Sequence, residues 1–317
     1  MTQFPLQPEV RGDVRAYLDG LAANPRPTFT AQVLAAIRPM VITPEMTGDL
    51  PVGELGEVRN VVMPAAGGEI ALRLFDPRAQ RGPGPVVVFY HGGGFAVGSI
   101  DTHAGLAAEI ARQLDLPVVS VEYRLAPENP WPAAPDDAEA AARWIADNGA
   151  AFGREFTGLV LSGDSAGGNL TIVTALALCD RPASLPVVLQ FPLYPAVDHS
   201  RTYESRALFS DGFGLDATDM VLFNQHYAAD PMHPRSSPLL ADKHGMPPTV
   251  VVTAGFDPLR DQGRAYAAAT ILAGVPTIFH EVPGTIHGFA TFRRAIPSAQ
   301  VDLDLILGLV LAALNAR

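Results

Sequence analysis

The sequence has few cysteines and few basic residues for its length, and each shortage excludes a class of protein. Cys179 is the only cysteine among 317 residues, so neither an intramolecular disulfide nor a cysteine cage for a metal can form. Lys and Arg number 22 against 33 Asp and Glu, giving a net charge of −11. Nucleic acids and anionic membranes attract clustered positive charge, and no basic block interrupts the acidic balance. We therefore expect neither as a partner.

Long apolar segments are missing as well. The longest apolar tract, Leu305 to Leu314, is too short to cross a bilayer, so we expect no stable membrane anchoring. The first residues, MTQFPLQPEV, contain no basic segment followed by an apolar core, which is the pattern of a secretory signal. Cys179 lies in the apolar helical run TIVTALALC, where we expect a buried, unreactive thiol. With 48% hydrophobic and 17% charged residues, the chain is predicted to be a globular cytoplasmic protein.

Short apolar runs rich in β-branched residues alternate with helical patterns from residue 85 onward. The first run is PVVVFY and the last is VPTIFHEV, and such runs are typical of strands buried on both faces. Their alternation with helices predicts an α/β fold with a mostly parallel central sheet flanked by helices. Two strand-like runs, EVRNVVM and EIALRLF, precede them and are separated by the turn residues Ala65 to Gly68.

The alternation is absent from two segments, where we expect a second structural unit. Residues 1–50 contain only short helical patterns between prolines, and residues 199–246 contain one helix, DATDMVLFNQHYAAD, with Asp216 as its cap. We expect both segments to pack together as a helical cap over the carboxyl edge of the sheet, where α/β proteins bind ligands. Residues 51–198 and 247–317 then form the catalytic domain.

The segment Gly163-Asp164-Ser165-Ala166-Gly167 has the G-x-S-x-G pattern of a nucleophile elbow. A glycine-rich chain can match this pattern by chance, but here an apolar strand precedes it and a helix follows it, as the elbow requires. Side chains at the two glycines would collide with the neighbouring strand and helix. We therefore predict that Ser165 is a nucleophile in a strained conformation, with Oγ at the start of the helix.

A triple glycine follows the strand PVVVFY directly, in His91-Gly92-Gly93-Gly94. Acyl transfer needs backbone N–H donors for the oxyanion, and we assign Gly92 and Gly93, together with Ala166, while Gly94 stays open. A phosphate-binding loop is the alternative interpretation of this segment, but the segment lacks the lysine of the phosphate-binding motif. We expect His91 to brace the loop and not to act as the base.

The acid and the base are expected downstream of Ser165, each on a loop after a strand. Asp257 follows the strand PTVVVTAG, and His287 follows VPTIFHEV, so both lie at the same sheet edge as the elbow. Asp198 is the best rival acid, and Asp261 is better explained as an acid at a helix N-terminus. The rival histidines lie within a strand or in the expected cap: His280, His199, His226, His233 and His244.

Taken together, the motifs resemble the hormone-sensitive-lipase-like esterases, in their bacterial GDSAG subgroup. In order along the chain they are HGGGF, YRLAPE, GDSAGGN, DPLRD and HGF, spanning about Val86 to Phe289. The resemblance implies an α/β-hydrolase fold, a mobile helical cap and carboxylesterase activity, usually on short acyl chains. It maps the triad onto Ser165, Asp257 and His287, and the oxyanion hole onto Gly92, Gly93 and Ala166. Asn129 and Gln262 depart from the histidine and glutamate often found in this family, which puts substrate or pH preference in question.

These observations predict a serine esterase that needs no cofactor and no metal and acts on a small-molecule ester. A peptidase or amidase on the same fold is the nearest alternative, and the HGGG loop favours esters. A non-catalytic binder of small molecules is a second, although His287 is present in its motif. The last apolar helix could form a homodimer face or merely cover the sheet. Six apolar residues could line a substrate pocket or belong to the packing: Phe95, Val97, Phe209, Phe213, Leu222 and Phe223.

Overall fold

An eight-stranded sheet lies at the centre of the computed structural model, which describes residues 9–316. Its spatial order is β1-β2-β4-β3-β5-β6-β7-β8, and all pairs from β4 to β8 are parallel, whereas β2 pairs antiparallel with both neighbours. The predicted mostly parallel sheet is thereby confirmed. Residues 1–8 of the expected cap and Arg317 of the expected catalytic domain lie outside the described residues. The strands are β1 (Glu57–Ala65), β2 (Gly68–Asp76), β3 (Gly84–Tyr90), β4 (Val118–Val121), β5 (Phe156–Asp164), β6 (Val187–Leu193), β7 (Thr249–Phe256) and β8 (Thr277–Ile286).

Helices cover both faces of this sheet, which explains why its strands are continuously apolar. Successive side chains of a strand point to opposite faces. Val87 and Phe89 of β3 therefore enter one core, while Val86, Val88 and Tyr90 enter the other. The first core contains α4 (Ala104–Leu114) and α10 (Ser298–Asn315), and the second contains α5 (Ala133–Asp147), α6 (Ala166–Asp180) and α9 (Arg260–Leu272).

The remaining helices belong to the two segments that interrupt the α/β alternation. The first segment contains α1 (Gly12–Ala23), α2 (Ala31–Ile37) and α3 (Pro44–Thr47), and the second contains α7 (Glu204–Phe209) and α8 (Ala217–Tyr227). The prediction of one helix between residues 199 and 246 was wrong, because α7 is too short to show a periodic pattern. Asp216 is the cap residue of α8, but its carboxylate accepts a hydrogen bond from the Gly212 amide (3.2 Å) and none from the helix.

These two segments contact each other through polar and aromatic groups. The Arg26 guanidinium donates to the carbonyl of Gly214, and the His226 imidazole Nε2 donates to the carbonyl of Phe29 at 2.9 Å. The rings of Phe29 and Phe223 are stacked, with their centroids 5.4 Å apart. The N-terminal segment and the insertion therefore pack as neighbours.

Helix α10 is longer than the apolar tract that the sequence shows. It has 18 residues and a mean hydropathy of 1.4, so by length and composition alone it could cross a membrane. Its buried residues pack in the first core instead, as expected of a helix that covers a sheet: Ala299, Leu303, Ile306, Leu307 and Val310.

Cys179 departs from its predicted burial. It is exposed at the last turn of α6, where Sγ lies 3.4 Å from the carbonyl oxygen of Gly245. The helix is buried along most of its length but emerges from the core at this end, since Cys179 and Asp180 are both exposed.

Candidate active site

Ser165 occupies the tight turn between β5 and α6. Its backbone has φ 55° and ψ −113°, a conformation that side-chain-bearing residues rarely adopt and that costs about 1–3 kcal/mol. A Cβ on Gly163 would lie 2.5 Å from the carbonyl carbon of Gly167, and one on Gly167 would lie 2.6 Å from that of Tyr90. Only hydrogen fits at either position, which confirms the steric reason for both glycines.

Asp257 and His287 lie beside Ser165, as the order of the motifs predicts. The Nδ1 atom of His287 donates to Oδ2 of Asp257 at 2.7 Å, and Nε2 lies 2.8 Å from the Ser165 hydroxyl oxygen. Asp257 is fully buried, and its Oδ1 accepts from the Leu259 amide at 2.7 Å. Because the carboxylate holds the proton on Nδ1, the lone pair on Nε2 faces the hydroxyl and can accept its proton.

The rival acids are occupied elsewhere. Asp198 accepts hydrogen bonds from the hydroxyls of Ser200 and Tyr203, both at 2.5 Å, and from Arg201 at 3.1 Å. Asp261 lies in the first turn of α9, as expected, and accepts from the amide of Ser205 at 2.8 Å. Neither carboxylate is a hydrogen-bond partner of His287.

Gln262 has a structural role that its sequence position did not reveal. Its Oε1 accepts the amides of Val197 (2.6 Å) and Asp198 (3.0 Å), which belong to the loop after β6. That loop also bonds the elbow, because the Ala196 amide donates to the carbonyl of Ser165 at 3.3 Å. An amide oxygen performs this task without a negative charge, so the loop keeps its anchor despite the departure from glutamate.

The glycine loop differs from its predicted assignment at Gly92. The Gly92 amide donates to Oδ1 of Asp164 at 2.8 Å, so it is not free to bind an oxyanion, and its assignment as a donor is revised. Among residues 9–316, no acceptor is hydrogen-bonded to the amides of Gly93, Gly94 or Ala166. Gly93 and Gly94 both have positive φ angles, 119° and 58°, which glycine tolerates without strain. The structure thus leaves Gly93 and Gly94, together with Ala166, as the free donors.

His91 braces this loop, as expected. Its Nδ1 donates to the carbonyl of Gly92 at 2.8 Å, and its ring stacks on Tyr123 with centroids 4.3 Å apart. The Tyr123 hydroxyl in turn donates to the His91 carbonyl at 2.7 Å. Burial, followed by the charge of His103, lowers the pKa of His91 to about 3, so the imidazole is neutral near pH 7.

A cavity of about 430 Å³ opens onto Ser165 and His287. This size suits a small molecule. Three of the six apolar candidates line it, namely Phe95, Val97 and Phe223, whereas Phe209 and Phe213 pack against the ring of Phe256. Leu222 is half-buried and is not among the lining residues. In the described part of the chain, no three His, Cys, Asp or Glu side chains converge as metal ligands would.

Several known proteins with similar sequences or structures are ester hydrolases. Residues 87–291 match the family described as alpha/beta hydrolase fold. The carboxylic ester hydrolase LipN of Mycobacterium tuberculosis is 39% identical over 263 residues, which cover 80% of this chain and 70% of LipN. The ethyl acetate hydrolase of Pseudomonas putida is 36% identical over 248 residues, covering 76% and 78%. The solved structure of ester-hydrolase EH1AB1 from the metagenome of Lake Arreo is 37% identical with a TM-score of 0.88, covering 96% and 98%.

The similarity extends over most of the chain and includes the elbow, the glycine loop and the loops that carry Asp257 and His287. The chain belongs to the hormone-sensitive-lipase-like family of the α/β-hydrolase fold and is a carboxylic ester hydrolase.

Proposed function

We propose that the protein hydrolyses small carboxylic esters with short acyl chains, through an acyl-enzyme formed on Ser165. The observation that carries the proposal is the continuous hydrogen-bond chain from Asp257 through His287 to the Ser165 hydroxyl, with links of 2.7 and 2.8 Å. This chain couples a buried carboxylate to a nucleophile through one imidazole, the geometry of nucleophilic acyl transfer.

The reaction has two halves with His287 acting in both. In the first, Ser165 Oγ attacks the ester carbonyl carbon while Nε2 of His287 takes the hydroxyl proton. The tetrahedral intermediate collapses, the proton passes from Nε2 to the leaving alkoxide, and the alcohol departs. In the second half, Nε2 takes a proton from a water molecule while the water oxygen attacks the carbonyl carbon of the acyl-enzyme. Collapse releases the carboxylic acid, and the proton returns to Ser165.

The negative charge of each tetrahedral intermediate develops on the former carbonyl oxygen. We assign its stabilisation to the amides of Gly93, Gly94 and Ala166, because these donors have no acceptor within the described chain. Ala166 is the first residue of α6, so the positive end of the helix dipole adds to its effect.

The preference for short acyl chains rests on the size of the site and on one relative. The cavity of about 430 Å³ is bounded by the stacked rings of Phe29 and Phe223. Among the similar proteins is one named ethyl acetate hydrolase. We further propose that residues 1–50 and 199–246 act as a cap over the site. Contacts support this for the described residues, because α7 is anchored beside the acid loop by the Ser205 hydroxyl, which donates to the Pro258 carbonyl at 2.9 Å.

A series of p-nitrophenyl esters with acyl chains of 2 to 12 carbons tests the proposal. We expect kcat/KM to be highest at 2 to 6 carbons and to be lost in Ser165→Ala. A fluorophosphonate probe should label the wild type and not this variant. The matched p-nitroanilide of the best acyl group separates an esterase from an amidase, since an esterase cleaves the ester far faster. A maximum at 10 to 12 carbons contradicts the short-acyl preference, and labelling of Ser165→Ala contradicts the nucleophile.

A further inference from the structure

Asp164 connects the nucleophile elbow to the glycine loop, His91 to Gly94, which is called the oxyanion loop below. It precedes Ser165, is 3% exposed, and accepts the Gly92 amide at 2.8 Å through Oδ1. A Cβ on Gly92 would lie 2.9 Å from Cγ of Asp164, so the carboxyl group packs directly against the loop. The amide that the sequence assigned to the oxyanion is thus used to hold the loop against the elbow.

An ionised carboxylate in this place creates an electrostatic problem. Asp164 is covalently next to the nucleophile and bonded to the residue next to Gly93, so its charge lies close to the developing oxyanion. Like charges repel strongly where water is excluded. A buried carboxylate is also costly unless a positive group or hydrogen bonds compensate it. The Gly92 amide compensates part of this charge, and a cation beside Asp164 would compensate the rest.

His103 meets this need. Its Nε2 lies 3.3 Å from Oδ1 of Asp164, and its Nδ1 lies 2.8 Å from Oγ1 of Thr102. The Thr102 hydroxyl donates its own proton to the carbonyl of Ser99 (3.0 Å), so it accepts from Nδ1. Nδ1 therefore carries a proton. Nε2 lies 3.3 Å from both the Asp164 carboxylate and the Gly92 amide nitrogen, so a second proton on Nε2 makes the ring an imidazolium at ion-pair distance from the carboxylate.

The surroundings of His103 favour the same protonation state. Burial lowers the pKa of His103, but the charge and hydrogen bond of Asp164, followed by the charge of Asp49, outweigh burial and raise it above its ordinary value. Burial raises the pKa of Asp164, but the charge and hydrogen bond of His103, followed by the Gly92 amide, outweigh burial and lower it. Four further titratable groups lie near the pair. They are the neutral His91 on the oxyanion loop, Glu122 after β4, and the buried Tyr123 and Tyr194.

We propose that His103 is a positioning residue for ester hydrolysis and acts as the counterion of Asp164. In its charged form it neutralises the carboxylate that holds Gly92, so that Asp164 orders the oxyanion loop without opposing the oxyanion. This role rests on the proposed function of Ser165. It affects the transition state more than the neutral ground-state ester, so its loss lowers kcat and leaves KM nearly unchanged. It also gives kcat an alkaline limb, because deprotonation of His103 uncovers the carboxylate.

A cycle of four proteins tests the role: the wild type, His103→Gln, Asp164→Asn and the double variant. Glutamine keeps an N–H donor near the Nε2 position and removes the charge, and the asparagine of Asp164→Asn keeps an acceptor for Gly92. We expect His103→Gln to lower kcat at least about tenfold in the wild-type background with KM changed less than about threefold. In the Asp164→Asn background the same substitution should lower kcat less than about threefold, because no carboxylate remains to be neutralised.

The pH profile of kcat provides a second, independent readout. The kcat of the wild type should fall on the alkaline side of the profile, whereas the kcat of Asp164→Asn should not. This comparison can be made even if His103→Gln fails to fold. Equal losses of kcat in both backgrounds, or the same alkaline limb in Asp164→Asn, would overturn the counterion role. Failure of the proposed function itself is distinguishable, since the wild type would then hydrolyse no ester.

Discussion

The backbone of Gly167 packs directly against the carbonyl group of Tyr90. A Cβ on Gly167 would lie 2.6 Å from the Tyr90 carbonyl carbon and 2.7 Å from the carbonyl oxygen of His91. Tyr90 ends β3 and His91 begins the oxyanion loop, so this contact sets the first turn of α6 against the start of that loop. Backbone packing thereby holds the proposed nucleophile and the proposed oxyanion donors in register.

Gly167→Ala should therefore destabilise the protein, by about 1–3 kcal/mol or more, because backbone atoms cannot move aside as a side chain can. Urea unfolding measures the change. Gly308→Ala is the matched control: Gly308 lies inside α10, and a Cβ there would meet nothing within 4 Å. This control should be neutral or stabilising by up to about 1 kcal/mol. Equal unfolding midpoints for the two variants would contradict the steric role of Gly167.

Asp49→Ala should be strongly destabilising. Asp49 and Arg293 are both fully buried and form two hydrogen bonds, at 2.7 and 2.8 Å. Removing the carboxylate leaves the buried guanidinium with only the Gln300 amide oxygen at 3.2 Å and the Glu109 carboxylate at 3.9 Å, and loss of such a buried pair costs about 3–5 kcal/mol.

Arg181→Ala is the control for this pair. Arg181 pairs with Glu139 at 2.8 Å, but its side chain is 71% exposed. Water screens such a pair, so its loss should cost less than about 1 kcal/mol. Chemical unfolding of both variants gives the comparison, and a loss at Asp49 as small as that at Arg181 would contradict the prediction.

The ion pair of His103 and Asp164 should make stability depend on pH in two opposite ways. The pKa of His103 is raised on folding, so its contribution is complete below the ordinary value of 6.5 and is lost as pH rises through the folded value. The pKa of Asp164 is lowered, so its contribution is present above the ordinary value of 3.8 and is lost as pH falls through the folded value.

Unfolding of the wild type and of His103→Gln between pH 5 and pH 9 isolates the histidine contribution. The difference in free energy of unfolding should be largest near pH 5 and shrink toward pH 9. His91 is buried in its neutral form and acts in the opposite direction. Burial, the largest cause of its lowered pKa, is the same in both proteins, so most of its contribution cancels from the difference. A difference that grows with pH would contradict the assignment of His103 as a cation.

Phe223→Ala should broaden the range of esters that the protein accepts. A Cβ on Gly94 would lie 2.7 Å from Cδ1 of Phe223, so this ring forms the wall beside one of the proposed oxyanion donors. Removing it opens space next to the reacting carbonyl. We expect kcat/KM for a branched-acyl ester to rise at least about fivefold relative to the acetate ester, since one methylene group changes pocket discrimination by about 10–200-fold. Leu222→Ala, one residue earlier on α8 and outside the cavity lining, should leave this ratio unchanged.

The features that the sequence predicted well are those that short segments encode. Buried strands are continuous apolar runs, and a tight turn between a strand and a helix needs glycine on both sides of Ser165. The choice of Asp257 and His287 then followed from the order of the triad in this fold, and their proximity to Ser165 from parallel strands that end at one edge of the sheet. Each of these rests on local pattern and topology, so no side-chain packing had to be known.

The features that it missed depend on contacts between distant segments. Gly92 was assigned to the oxyanion because it begins the triple glycine that follows β3, whereas the partner of its amide, Asp164, is 72 residues away. Cys179 was expected to be buried because its neighbours are apolar, yet exposure depends on where α6 leaves the core. The role of Gln262 was also hidden, because the amides that it binds belong to the loop after β6.

The exposed position of Cys179 makes this protein suited to site-specific attachment. It is the only thiol of the chain, so a maleimide can join one dye or one solid support to each molecule without prior mutagenesis. Helix α6 begins beside Ser165, and Cys179 lies 13 residues after Ala166, a separation of about 20 Å along the helix axis. A molecule tethered there is attached at the end of α6 opposite to Ser165. Burial of part of the side chain raises the pKa of this thiol, which calls for mildly alkaline coupling.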